Sequence, residues 1–154
     1  MSATVEITND IALIRMDDGK ANAINFDMLV ALNSALDSAE ANAKAIVLTG
    51  RDGRFSGGFD LNAFASLGAD GVYKLLDAGA ELLLRLYGGA LPVVAACNGH
   101  AIAMGVFILH AVQLAMWVAI PAMLVQAGLD KHDHWQIYLP AVVASFVVMG
   151  AVFA

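Results

Sequence analysis

The sequence predicts a layered α/β domain over residues 1–104 joined to a hydrophobic, α-helical two-helix hairpin over residues 105–154. Three observations carry that prediction. Short apolar runs bounded by turn residues alternate with stretches whose apolar residues recur every three or four positions, as strands and helices in crossover connection do. Of the charged side chains, only Asp130, Lys131 and Asp133 lie beyond residue 100. Two long uncharged runs, Ala101 to Leu129 and Trp135 to Ala154, dominate that remainder, so the mean composition of 60% hydrophobic and 14% charged residues describes neither part.

The first elements read as follows. Val5 and Ile7, then Ile11, Leu13 and Ile14, flank the turn dipeptide Asn9-Asp10, which predicts a β-hairpin. From Asn25, an N-cap candidate, Met28, Leu29, Leu32, Leu36 and Ala39 repeat at helical spacing. Ala45 to Thr49 is an unbroken apolar run closed by Gly50 and reads as a strand buried on both faces. A glycine-rich loop, Arg51 to Gly58, leads to Asp60, an N-cap candidate for a helix beginning at Leu61. A second helical stretch covers Val72 to Tyr87 and stops at Gly88-Gly89, and Pro92 to Cys97 reads as another buried strand.

The net charge of −6 argues against an electrostatic nucleic-acid binder, and the apolar content against disorder. A single cysteine, Cys97, excludes an internal disulfide framework and a paired-cysteine zinc module, and reads as a small buried hydrophobe. Met1 to Asn9 shows no basic region followed by an apolar core, so no secretory signal peptide is expected.

Two segments carry chemistry. Arg51 to Leu61 follows a strand and enters a helix through three glycines, and Pro92 to Gly105 repeats that strand–turn–helix pattern. Backbone N–H groups at such turns can face a developing oxyanion, each donor being worth about 3 kcal/mol of barrier. No Gly-Lys-Ser/Thr closes the first motif, which excludes a P-loop. A Ser56–His100–Asp60 triad is disfavoured against these backbone donors. His132, Asp133 and His134 read as a solvated connector, not a metal site, since a site needs three or four convergent ligands; no metal is expected.

Residues 5–105 resemble the N-terminal portion of the crotonase (enoyl-CoA hydratase/isomerase) superfamily through three ordered motifs: Gly19 to Asn25, Phe55 to Leu61, and Asn98 to Gly105. The resemblance implies a truncated crotonase-like ββα spiral core that binds acyl-CoA thioesters. Its two oxyanion N–H groups map to Phe59 and Met104. Lys20, Ala21 and Ala23 would line the nucleotide end of coenzyme A, with Ser56, Gly57, Gly58, Asp60 and Leu61 near the acyl-pantetheine elbow. No cofactor is expected, coenzyme A being part of the substrate, and a homo-oligomer would follow the family. One departure bears on activity: Phe107 stands where hydratases of the family place a catalytic glutamate, and Glu81 is the last glutamate of the chain. Impaired acid–base chemistry is the expectation.

Beyond Gly105 the sequence resembles a two-helix piece of a major facilitator superfamily transporter, over Gly105 to Pro121 and Gln126 to Pro140. About 20 apolar residues suffice for a helix to cross a bilayer, and Trp135 and Tyr138 suit an interfacial belt. A lipid bilayer is thus an expected partner of residues 105–154. Seven of the eight Lys and Arg residues precede the first run, placing the N-terminal part in the cytoplasm. The alternatives are a cytoplasmic protein whose apolar tail packs as core helices, and a transporter fragment or membrane-anchored chimera without independent activity.

Overall fold

A computed structural model describes residues 2–126 and residue 128. Two strands open the chain, β1 (Ala3–Thr8) and β2 (Ile11–Met16), paired antiparallel from Ala3↔Met16 to Thr8↔Ile11. The connecting residues Asn9 and Asp10 both have positive φ, 50° and 63°. That backbone matches the right-handed twist of a two-residue hairpin, and Asn and Asp tolerate it best after glycine.

After β3 (Ala23–Ile24), helix α1 (Phe26–Asn42) starts where Asn25 accepts the Met28 N–H at 2.9 Å. It buries Met28, Leu29, Leu32, Ala35, Leu36 and Ala39, the stripe read from the spacing. Strand β4 (Ala45–Thr49) then runs parallel to β2. The segment read as a glycine-rich loop holds two short strands, β5 (Gly53–Ser56) and β6 (Gly58–Phe59). Helix α2 (Leu61–Gly88) begins at the predicted cap: the Asp60 carboxylate accepts from Asn62 at 2.9 Å and Ala63 at 3.4 Å. Gly68 (φ 65°, ψ 176°) breaks the helical backbone within this span, so the cap at Asp60 opens a first helical segment and the stretch predicted from Val72 lies in a second. Arg85 clamps α2 to α1 by reaching Asp37 at 2.6 Å, Glu40 at 3.0 Å and the Asn33 side chain at 3.0 Å. Burial pulls its guanidinium pKa down, but the bonds to Glu40 and Asp37 outweigh that and hold it above the ordinary value.

Strand β7 (Val93–Ala96) completes the main sheet, ordered β1-β2-β4-β7. Only Val93 of this strand is buried, and Val94 is 48% exposed. The expectation of a strand covered on both faces is therefore corrected: β7 is an edge of the described sheet. Strand β8 (Gly99–Ala101), not foreseen in the small-residue turn, pairs with β5, and β3 pairs with β6. Helix α3 (Met104–Gln126) follows.

Contacts divide the chain into Met1–Met116 and Trp117–Ala154. The first unit thus runs past the boundary expected at residue 104: Met104, Ile108, Ala111 and Val112 on α3 are buried with Ile14, Leu48, Leu75 and Leu82. Among the described residues no helix is long and apolar enough to cross a membrane. The transmembrane hairpin expected over 105–154 has no support there, because an uncharged run suits a helix packed against protein as well as one in lipid. The connector Asp130–His134 and the run Trp135–Ala154, with Trp135 and Tyr138, lie outside the described residues.

Candidate functional site

The three motif segments meet at one end of the main sheet. The first is the loop from Asp17 to Ala23, wound around two carboxylates. Asp17 accepts the Gly19 N–H at 2.9 Å. Asp18 accepts from Lys20 at 2.7 Å, Asn22 at 2.9 Å and Ala23 at 3.1 Å. Partial burial pushes the Asp18 pKa up, but the N–H donors of Asn22, Lys20, Ala23 and Asp18 itself together outweigh it and hold the carboxyl below its ordinary value. Arg51 ties this loop to the second segment, donating to the Lys20 carbonyl at 3.2 Å and lying 3.7 Å from Asp17.

The second segment is laid against the first by β3–β6 pairing, with Ala23 opposite Gly58 and Ile24 opposite Phe59. Gly57 N–H donates to the Ala21 carbonyl at 2.8 Å, and a Cβ added at Gly57 would sit 3.2 Å from the Ala21 side chain. The two helix caps are joined, the Asn25 amide reaching the Asp60 carboxylate at 3.4 Å.

The third segment closes on Gly58 from another side. A Cβ at Gly58 would lie 2.9 Å from the Ile102 carbonyl, 3.1 Å from the Ala103 side chain and 3.4 Å from the Met104 nitrogen. Gly58 has φ 85°, so glycine is required there for conformation and for space. Ala103 also has positive φ, 47°, a conformation costing an alanine about 1–2 kcal/mol. In the first turn of α3, Gly105 N–H is taken by Ile102, and Val106 and Phe107 N–H by Ala103. Among the described residues nothing takes the Met104 N–H. Gly79 of α2 closes the assembly: a Cβ there would meet the Phe59 ring at 2.6 Å and the Met104 methyl at 3.3 Å.

The structure therefore brings together Ala21, Ala23, Ser56, Gly57, Gly58, Phe59, Asp60 and Met104, with Lys20 exposed on the adjoining loop. Leu61 is also exposed, at the start of α2. Ser56 is fully buried; its hydroxyl donates to the Asn22 carbonyl at 2.8 Å and accepts the Gly58 N–H at 3.2 Å. Asp60 is engaged as a cap and His100 is exposed, so the disfavoured triad is not assembled. Cys97 is exposed, not buried as expected, because the turn after edge strand β7 leaves its thiol at the surface, bonded to the Gly99 carbonyl at 3.2 Å. Among the described residues no group of His, Cys, Asp and Glu could hold a metal ion; His132, Asp133 and His134 lie outside them.

Asn22 and Asn98 stand within the motifs, with no role assigned to them from the sequence. Asn98 exchanges two bonds with Gly50, accepting its N–H at 3.2 Å and donating to its carbonyl at 3.0 Å, and so pins the end of β4 to the end of β7. Asn-Gly after a strand was the available signal.

Phe107 lies on α3 and is 56% exposed. With Leu83, Leu84, Tyr87, His110, Ala111 and Leu114 it lines an apolar groove of about 280 Å³. A smaller polar recess of about 210 Å³ lies beside the first loop, between Arg15, Asp17, Arg51 and Asp52.

The sequence profile of the enoyl-CoA hydratase/isomerase family matches residues 6–118 and so continues past Gly105. A probable enoyl-CoA hydratase of Rhodobacter capsulatus is 39% identical over 101 residues, 65% of this chain and 39% of that protein. A glyoxysomal fatty acid beta-oxidation multifunctional protein of Cucumis sativus is 35% identical over 103 residues, 64% of this chain and 14% of that protein. Among solved structures, a probable enoyl-CoA hydratase of Mycobacterium tuberculosis superposes with TM-score 0.69 at 44% identity, covering 72% of this chain and 48% of the other. The human mitochondrial delta3-delta2-enoyl-CoA isomerase superposes with TM-score 0.68 at 27% identity, over 72% of this chain and 45% of that one. The chain thus spans less than half the length of these relatives.

Proposed function

Because the chain belongs to the enoyl-CoA hydratase/isomerase family, we propose that it binds acyl-CoA thioesters and polarises the thioester carbonyl with the Phe59 and Met104 N–H groups. One observation carries this reading: Gly58 packs against Ile102, Ala103 and the Met104 nitrogen, so the two strand–turn–helix segments share one site. Asp60 N–H donates to Ile24 on β3 at 2.9 Å. Successive N–H groups of an extended segment face opposite edges, so the Phe59 N–H points away from β3. The left-handed Ala103 sets the direction of the Met104 N–H at the start of α3, where donors have no intrahelical partner. Lys20, Ala21 and Ala23 would hold the nucleotide end of coenzyme A, and Ser56, Gly57, Gly58, Asp60 and Leu61 would border the pantetheine.

Enolate stabilisation needs only these donors, whereas hydration also needs a general acid–base, worth about 10²–10⁴ in rate. With Phe107 at the glutamate position, the chain binds the thioester and hydrates it poorly. Crotonyl-CoA added to the purified chain should bind while hydration runs about 10³-fold below a full-length relative. Failure to bind refutes the site, and turnover equal to that relative refutes the impairment.

A second reading concerns Trp135–Ala154 alone, whose 20 residues carry no charged side chain. A membrane anchor of that composition would resist carbonate extraction, and release of the chain by carbonate refutes it.

A further inference from the structure

We propose that Asn22 is a positioning residue which, acting through Ser56, couples the Asp17–Ala23 loop to the turns bearing the Phe59 and Met104 N–H groups, so that coenzyme A held at the loop steadies both donors. The inference rests on the acyl-CoA reading of this site.

Asn22 is completely buried and has φ 52°. Its amide nitrogen donates to the Met16 carbonyl at 2.9 Å, to Arg54 at 3.1 Å and to Phe55 at 3.2 Å. Its amide oxygen accepts the Asp18 N–H at 3.1 Å, and its own N–H reaches the Asp18 carboxylate at 2.9 Å. Its carbonyl accepts the Ser56 hydroxyl at 2.8 Å. Each polar atom of Asn22 is thus engaged, and the partners lie in two segments distant in sequence.

Ser56 carries the connection onward. Its hydroxyl accepts the N–H of Gly58, the residue before Phe59, and its carbonyl accepts the N–H of Ile102 at 2.9 Å, two residues before Met104. A Cβ at Gly105 would fall 2.8 Å from that carbonyl, so α3 also begins in contact with Ser56. Buried hydrogen-bond networks of this kind specify one geometry when all members are satisfied, and a single deletion disturbs the others. A residue serving local stability alone would act on its own loop, whereas this path reaches the Gly58 N–H, one residue before Phe59, and the Ile102 N–H, two residues before Met104.

The test compares the full chain with Ser56→Ala, Asn22→Gly and Asp18→Asn by amide NMR, with and without coenzyme A. Asn22→Gly keeps access to positive φ and removes only the side chain. In the wild type, coenzyme A should shift signals at Lys20 to Ala23 and at Phe59 and Met104. In Ser56→Ala and Asn22→Gly the shifts at Phe59 and Met104 should be lost, with amide exchange at Asp60, Ile102 and Gly105 about tenfold faster. Unchanged shifts and exchange at those positions overturn the proposal. Should either buried variant fail to fold, Asp18→Asn gives the same reading from the rim of the loop: faster exchange at Ile102 supports the coupling, and a change confined to residues 17–23 overturns it. A wild type that does not respond to coenzyme A refutes the acyl-CoA reading, and the exchange rates of the ligand-free variants still decide the coupling.

Discussion

The loop end of the sheet and the flank formed by α2 and α3 are held by opposite means. At the loop end, polar atoms are drawn inside and paired: Asn22 and Ser56 are fully buried, and glycines at 57, 58 and 105 let three backbone segments touch. On the flank, apolar groups stand in the open. Leu84 is 69% exposed, Phe107 56% and Leu114 55%. The loop end closes on itself through contacts among three short segments, whereas an apolar flank needs further surface to cover it.

Breaking the loop end should have the largest effect. Gly58→Ala places a side chain 2.9 Å from the Ile102 carbonyl at φ 85°. We expect about 2–3 kcal/mol lost from unfolding free energy, with coenzyme A thioester binding abolished, read by denaturant titration and calorimetry. Next comes acid. A carboxyl whose folded pKa is depressed gives stability that is full above its ordinary value and lost as pH falls through the lower folded one. For Asp18 that ordinary value is 3.8. Acid unfolding should show this loss below about pH 4, and Asp18→Asn should remove that part of the pH dependence. The smallest effect is expected on the flank: Leu84→Ser with Leu114→Ser should change stability by no more than about 0.5 kcal/mol while lowering self-association in light scattering. A large loss of stability there would show that the flank is covered.

Much of the fold was legible from local signals. The caps at Asn25 and Asp60, the Asn9-Asp10 hairpin and the stripe of α1 depend on near neighbours in the sequence, and each formed as read. The short strands β5, β6 and β8 were not legible, because glycine-rich segments of two to four residues become strands only when distant partners align. Of the site, the motif residues were visible as turns and through family resemblance, but the burial of Ser56 was not. Cys97 misled for the same reason: apolar neighbours suggested burial, whereas exposure follows from the strand beside it being an edge.

By itself, then, the sequence determined where α1 and α2 begin, which stripe of α1 is buried, that Asn9-Asp10 turns a hairpin, and that no glutamate stands at position 107. Local sterics and periodicity suffice for all of these. Only the tertiary structure decided that α3 packs its first turns into the α/β core, and that Gly58 meets Met104 while Asn22 reaches Phe55. Those contacts join residues far apart in the chain, and parallel pairing and helix packing alone bring them together.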